Sequence, residues 1–305
     1  GTLPRMTPLA CTWHWAATAA APVLPFYLRR RVRRGKEDAA RLSERFGAGA
    51  ARPDGPLLWL HAASVGETLS ILPLLEALGA AVPRLSFLVT TGTLTSATLL
   101  GRRLPPDLAP RVSHRFVPLD VPAWAACFLD GWRPDAAVFV ESELWPNLIA
   151  ATARRGIPLA LVNGRMSEAS GRWWRRAPGL ARQVLAPFGL VLAQTEADAA
   201  RFRAVGASAQ CWGNLKYAAP PLPADAAELA RLRGLLARRP VWLAASTHPG
   251  EEAIAFAAHA RIAAARPGLL TIIVPRHPER GRDIAVLRGT LAVARRAGGE
   301  DPAPA

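Results

Sequence analysis

The chain has 305 residues, half of them hydrophobic, and carries a formal charge of +15 together with ten tryptophans. That length allows one large or two medium domains, and the three cysteines, Cys11, Cys127 and Cys211, lie too far apart for a zinc site or a disulfide framework, which fits a reducing cytosol. The charge invites a nucleic-acid reading, yet no RNA or DNA motif accompanies it, and the clearest basic run, Arg29 to Lys36, directly follows an apolar stretch. A surface of anionic lipid accounts for that order better.

Residues 1–34 come first. Trp13 to Leu28 is apolar or small, interrupted by Pro22 and Pro25, and is followed by Arg29-Arg30-Arg31-Val32-Arg33-Arg34. A membrane span needs about 20 apolar residues, and a signal peptide carries its positive charge ahead of its apolar region. The pattern instead predicts an interfacial anchor with Trp13, Trp15, Phe26 and Tyr27 at headgroup level. An amphipathic helix capping the next domain is the alternative.

Over residues 35–217, the apolar runs Leu57–His61, Ser86–Thr90, Ala136–Val140, Leu159–Asn163 and Leu190–Ala193 each precede a helix-period segment. Strand and helix in alternation predict an α/β domain with a doubly wound parallel sheet. Residues 218–225, which contain Ala218-Ala219-Pro220-Pro221-Leu222-Pro223, read as a linker. Residues 226–305 begin a second α/β unit with strands predicted at Val241–Ala245 and Leu269–Val274. The chain reaches its last residue only about two strands into this unit.

The chemistry-bearing residues cluster at strand ends, where open α/β sheets bind ligands. Ser64-Val65-Gly66-Glu67 places a carboxylate at a strand-to-helix junction, where it can take a proton from a substrate hydroxyl; equally, Ser-x-x-Glu is a capping box. A helix N-terminus would weaken the basicity of Glu67, whereas a like charge such as Glu141 would raise it. Glu141-Ser142-Glu143-Leu144-Trp145-Pro146-Asn147 sets two carboxylates at the next such end, suited to sugar hydroxyls or to solvating a helix start. Gly213-Asn214-Leu215-Lys216 offers a point charge for a carboxylate or phosphate. The choice is informative, because Lys36 and Lys216 are the only lysines and Asn147, Asn163 and Asn214 the only asparagines. In the second unit Ser246-Thr247-His248 and Pro275-Arg276-His277 follow strands, and Thr90 to Thr95 forms a hydroxyl-rich loop in the first. His, Cys and carboxylates nowhere cluster at zinc spacing.

In order, LHAASVGE, VTTGTLTSA, ESELWPNLI, NGRMSE, AQTEADAARF, GNLKYA, AASTHPGEE and IIVPRHPER resemble the bacterial Kdo transferases. Those enzymes move 3-deoxy-D-manno-octulosonic acid (Kdo) from CMP-Kdo onto the lipid A precursor lipid IVA, beginning the lipopolysaccharide core. The resemblance runs from about Arg33 to Arg280, and ELWPN, GNLK and VPRHPER are its most specific parts. It implies a GT-B fold of two Rossmann-like domains, the first on the acceptor side and the second binding the CMP-sugar. It also implies inverting transfer without a metal or any cofactor besides the donor substrate CMP-Kdo. Glu67 would be the general base, with Glu141 and Lys216 stabilising the transition state. Ser64, Gly66, Glu143, Asn147 and Asn214 would contact substrate, and Ser246, Thr247, Pro275, Arg276 and His277 would hold CMP.

The partners so implied are lipid IVA, CMP-Kdo and the membrane surface, with no nucleic acid, at the cytoplasmic face of the bacterial inner membrane. The family's later GGHNPLEP-like segment has no counterpart here, so the chain is expected to be C-terminally incomplete and inactive unless extended. Other GT-B enzymes, such as a lipid A disaccharide synthase or a nucleotide-sugar epimerase, and a non-catalytic lipid-binding chain are the alternatives. GNLK and ELWPN favour Kdo transfer.

Overall fold

A computed structural model describes residues 6–218, 224–236 and 239–302. The chain divides into two compact units, Gly1–Pro220 and Pro221–Ala305. The division falls within the segment read as a linker, of which residues 219–223 lie outside the described residues.

The first unit opens with helices α1 (Pro8–Ala20) and α2 (Leu24–Arg33) and a 3-10 segment at Ala39–Phe46. Strands and helices then alternate: β1 (Leu57–His61), α3 (Val65–Ala81), β2 (Ser86–Thr91), α4 (Leu94–Arg103), β3 (Val112–Phe116), α5 (Pro122–Trp132) and β4 (Ala136–Val140). There follow α6 (Pro146–Arg154), β5 (Leu159–Gly164), α7 (Glu168–Arg176), α8 (Pro178–Leu185), β6 (Phe188–Ala193), α9 (Glu196–Ala204) and β7 (Ala209–Cys211). All seven strands are parallel, in the order β3-β2-β1-β4-β5-β6-β7. The strand order reverses between β1 and β4, and in open α/β sheets the carboxyl ends of the strands at such a switch point are where ligands bind.

Helices cover both faces of this sheet, which is why its central strands are near-continuous apolar runs. Trp59 stacks against Phe128 and Phe139, with ring centroids 5.0 and 5.1 Å apart, at the centre of one layer. Ile71, Leu75, Phe87, Val89 and Leu100 fill the other. The edge strands β3 and β7 were not among the predicted ones. An edge strand needs no apolar run, and Val112-Ser113-His114-Arg115 is only half buried, while β7 has three residues.

The N-terminal helices belong to the first unit. Thr7 caps α1 and bonds Gln183 of α8 through both its N–H and its hydroxyl, and the indole N–H of Trp13 donates to Asp120 at 2.7 Å. Leu28 of α2 is buried, whereas Trp15, Phe26 and Tyr27 remain exposed. The domain-capping helix therefore exists alongside an exposed aromatic face. Among the described residues, no helix is long and apolar enough to cross a membrane.

Behind α2, Glu37 receives Arg45 through both carboxylate oxygens, at 3.0 to 3.2 Å, and Arg31 at 2.9 Å. Arg45 then spans to the sheet, donating to the carbonyls of Gly92 at 2.7 Å and Val117 at 3.1 Å. A buried charge needs such complete pairing, since removal of one partner would strand the other.

The second unit comprises α10 (Ala226–Leu236), β8 (Val241–Thr247), α11 (Glu251–Ala263), β9 (Leu270–Pro275) and α12 (Gly281–Val286), with β8 and β9 parallel. Glu252, fully buried, accepts Thr247 Oγ1 at 2.8 Å and a bidentate pair from Arg280 at 2.7 and 3.0 Å. Arg280 holds the Glu252 carboxyl down at about 2. This pair ties the ends of β8 and β9 to α11.

Candidate active site

Three strand ends of the first unit converge on one cluster of charges. After β1, Ser64 is the N-cap of α3: its hydroxyl accepts the Glu67 N–H at 3.3 Å and donates to Glu67 Oε1 at 2.8 Å. Glu67 Oε2 reaches back to the Ala63 N–H at 2.8 Å. The capping box is thus formed, with its reciprocal bond one residue upstream of the usual donor. The same carboxylate stands just beyond the carboxyl end of β1, at the switch point of the sheet. Burial pushes its proton affinity above the ordinary carboxylate range, the Ser64 hydroxyl and Ala63 N–H pull it down, and the charges of Glu143 and Glu141 push it up again. Cap and base are compatible roles for one side chain.

After β4, Glu141 adopts a positive φ of 57°, and at the end of the neighbouring β5 Asn163 does the same at 54°. Left-handed backbone at a non-glycine residue costs of order 1–3 kcal/mol and concentrates at functional sites. Here it coincides with a register shift in the β5–β6 pairing between Leu161 and Gly164, a bulge that re-aims the Asn163 side chain. Asn163 Oδ1 accepts the Leu215 N–H at 3.0 Å, and its Nδ2 donates to Glu141 Oε1 at 3.5 Å. Gln194 donates to the Asn163 carbonyl at 3.1 Å and accepts from Asn214 at 3.4 Å, while Asn214 Oδ1 accepts the Lys216 N–H at 2.9 Å.

This network delivers Lys216 Nζ to Glu141 Oε1 at 2.9 Å. A Cβ built on Gly66 would lie 3.5 Å from the same Nζ, so the lysine also closes on the first turn of α3. Glu67, Gly66, Glu141, Asn214 and Lys216 are therefore brought together as their positions at strand ends suggested. Asn163 and Gln194 were not singled out as site residues, although Asn163 is one of three asparagines in the chain. Glu143 is half buried, accepts the Trp145 indole N–H at 2.8 Å, and has its proton affinity raised first by burial and then by Glu141.

Asn147 occupies a different place. It is buried, and its amide donates to the Asp120 carbonyl at 2.7 Å, while the Asp120 carboxylate accepts the N–H groups of Asn147 and Leu148 at the start of α6. Its side chain is committed to holding α6 rather than open to a ligand. The hydroxyl-rich loop also has backbone duties: the Gly92 N–H donates to the Ala63 carbonyl at 3.0 Å and Thr93 caps α4.

In the second unit, Ser246 takes a positive φ of 59° at a register shift in β8–β9. Arg276 and His277 are exposed beyond β9 with Pro275 at its end, whereas the Thr247 hydroxyl is buried against Glu252. Among the described residues, no cluster of His, Cys, Asp and Glu could hold a metal ion.

Comparison with known proteins shows the family and agrees with the fold. A family model described as 3-deoxy-D-manno-octulosonic-acid transferase (kdotransferase) matches residues 40–219. A 3-deoxy-D-manno-octulosonic acid transferase of Rickettsia bellii (strain RML369-C) is 38% identical over 82% of this chain and 59% of its own length. Its namesake in Bordetella pertussis is 35% identical over 95% of this chain and 70% of its own length. The chain spans 48–60% of the length of several such relatives. Among solved structures, a UDP-GlcNAc 2-epimerase from Neisseria meningitidis bound to UDP-GlcNAc superposes with a TM-score of 0.54 at 11% identity, over 78% of this chain and 70% of that one. The α/β architecture is of the GT-B class, and the chain belongs to the 3-deoxy-D-manno-octulosonic acid (Kdo) transferase family.

Proposed function

We propose that this chain acts in transferring Kdo from CMP-Kdo to lipid IVA at the cytoplasmic face of the bacterial inner membrane, with inversion and without a metal or other cofactor. The observation that carries the reading is the meeting of Glu67, Glu141 and Lys216 at the switch point of the first sheet. The acceptor hydroxyl gives its proton to Glu67 and its oxygen bonds to the anomeric carbon of Kdo. The bond from that carbon to the phosphate oxygen breaks, and CMP leaves with the electron pair. A carboxylate with raised proton affinity is the better base near neutral pH. Lys216, held by Glu141, offers its charge to the Kdo carboxylate or the departing phosphate. In the second unit Ser246, Arg276 and His277 are the donors available to CMP, with Pro275 offering its carbonyl and ring and Thr247 acting through the backbone. The exposed Trp15, Phe26 and Tyr27 face with its arginine collar suits an anionic membrane surface.

Turnover of labelled CMP-Kdo with lipid IVA tests the reading. Glu67→Gln keeps an acceptor oxygen for the Ala63 N–H and places an amide N–H against the Ser64 hydroxyl, which can turn to accept it, but it cannot take the proton, so the rate should fall by roughly 10²–10⁴-fold with little loss of stability. Retention of more than about a tenth of the rate, alongside lowered stability, would leave Glu67 as a cap alone.

A further inference from the structure

His61 ends β1, three residues before Ser64, and its ring is completely buried. Its Nδ1 meets the hydroxyl and the carbonyl of Thr90, and its Nε2 meets a carboxylate. The Trp59 indole can only donate, and it donates to Thr90 Oγ1 at 2.8 Å. The Thr90 carbonyl already accepts the Ala62 N–H at 3.0 Å. The Thr90 hydroxyl, the nearer of the two at 2.9 Å against 3.3 Å for the carbonyl, can send its own proton to His61 Nδ1 while accepting Trp59, and the carboxylate oxygen that faces Nε2 favours the imidazole hydrogen on that nitrogen. That Nε2 is buried with no hydrogen-bond partner among the described residues, and it faces Glu143 Oε2 at 3.9 Å. An orphaned buried donor is costly and calls for an explanation.

We propose that His61 is a positioning residue for Glu143: its buried Nε2–H, oriented by Thr90, is the donor that steadies the Glu143 carboxylate beside Glu67, directly after a small movement or through one water. The arrangement is a chain of single donations, Trp59 to Thr90 to His61 to Glu143. The same Glu143 oxygen receives the Trp145 indole, so two fixed donors converge on it. The charged groups around the pair are Glu67 and Glu141, which repel the Glu143 carboxylate, and Arg45, which disfavours a charged His61 together with burial. With its imidazole held down at about 4, His61 stays neutral at physiological pH and donates without adding a charge. The inference rests on the reading of Glu67 as base only for its consequence to the rate.

Nitrogen NMR of the full chain labelled at histidine tests the tautomer without any turnover. A proton on Nε2, with no imidazolium formed between pH 5 and 8, is expected, and a proton on Nδ1 or a titration in that range overturns the proposal. Labelling the glutamate carboxyls then follows Glu143, identified by its loss in Glu143→Gln. His61→Phe keeps the ring and removes the donor, so the Glu143 midpoint should move upward and the rate should fall about tenfold, the equivalent of one hydrogen bond to a charge. His61→Gln, whose amide nitrogen reaches the place of Nε2, should restore most of both. An unmoved Glu143 midpoint in a folded Phe variant overturns the proposal, as does failure of Gln to recover it. If the Phe variant does not fold, the wild-type tautomer still decides. Full activity of Glu67→Gln with an Nε2-protonated His61 would sink the base assignment and leave this inference standing.

Discussion

At the scale of single residues, the site trades stability for chemistry very unevenly. Lys216 and Glu141 are paired at 2.9 Å, but the lysine side chain is 43% exposed, so the pair is worth about 0–1 kcal/mol at most. Lys216→Met should accordingly leave the thermal midpoint almost unchanged while lowering the transfer rate at least about tenfold, because a charge aimed at a developing anion acts in the transition state. Equal losses in both measurements would make the lysine structural. Gly92 shows the converse. A Cβ there would stand 2.8 Å from the Ala63 carbonyl oxygen, backbone against backbone, where neither side can yield cheaply. Gly92→Ala should cost about 1–3 kcal/mol in denaturant unfolding. It should also slow transfer, since Ala63 holds Glu67 Oε2 through its N–H. Unchanged stability would show that the two loops can part. Glu67, Glu141 and Lys216 were legible in the sequence because each follows a strand and is chemically distinctive. His61 and Gln194 were not, because their importance lies in which atoms their bonds leave free.

At the scale of elements, burial decides what a sequence announces. β1, β2, β4 and β5 are covered on both faces and read as apolar runs, as does the more exposed β6, whereas β3 presents Ser113, His114 and Arg115 and is recognisable only once its partner β2 is known. The N-terminal helices carry a double signal for the same reason. Ala10 and Leu28 face the unit, Trp13 donates to Asp120, and Trp15 and Phe26 are 68% and 65% exposed. Deleting α1 and α2 would therefore strip the unit of packing as well as any anchor. Trp15→Glu with Phe26→Glu is the cleaner change. In sedimentation with phosphatidylglycerol vesicles the double variant should bind far more weakly at low and high salt alike. High salt should only weaken the parent, since apolar burial is not screened. Complete release of the parent by salt would mean that the arginine collar alone does the binding.

At the scale of the whole molecule, the buried titrating groups predict how stability follows pH. Burial holds His61 at about 4 and His114 at about 3, both below the ordinary 6.5, so the unfolded chain binds these protons first. Stability supplied by a depressed histidine is complete above 6.5 and is lost as pH falls. Asp120 runs the other way: burial raises it from 3.8 to about 6, and the folded chain takes its proton first. Stability tied to Asp120 is complete below 3.8 and is lost as pH rises through about 6, and Glu67 and Glu143, also raised by burial, act in the same sense. Acidification from 6.5 should therefore destabilise the protein until, near pH 6, the carboxylates begin to offset the histidines and the curve flattens. A charge of +15 adds self-repulsion that grows in the same direction, so the histidine contribution is best read as a difference. His114, whose Nδ1 faces Arg41 at 3.0 Å and whose Nε2 bonds Thr91 at 2.9 Å, is the group to remove, since it lies away from the proposed catalytic residues. His114→Gln should lower stability at pH 7 but lose about 1.4 kcal/mol less per pH unit than the parent between pH 6 and 4.5, the worth of one proton. Parallel curves in urea unfolding across that range would mean that His114 is protonated as easily in the folded chain as in the unfolded one.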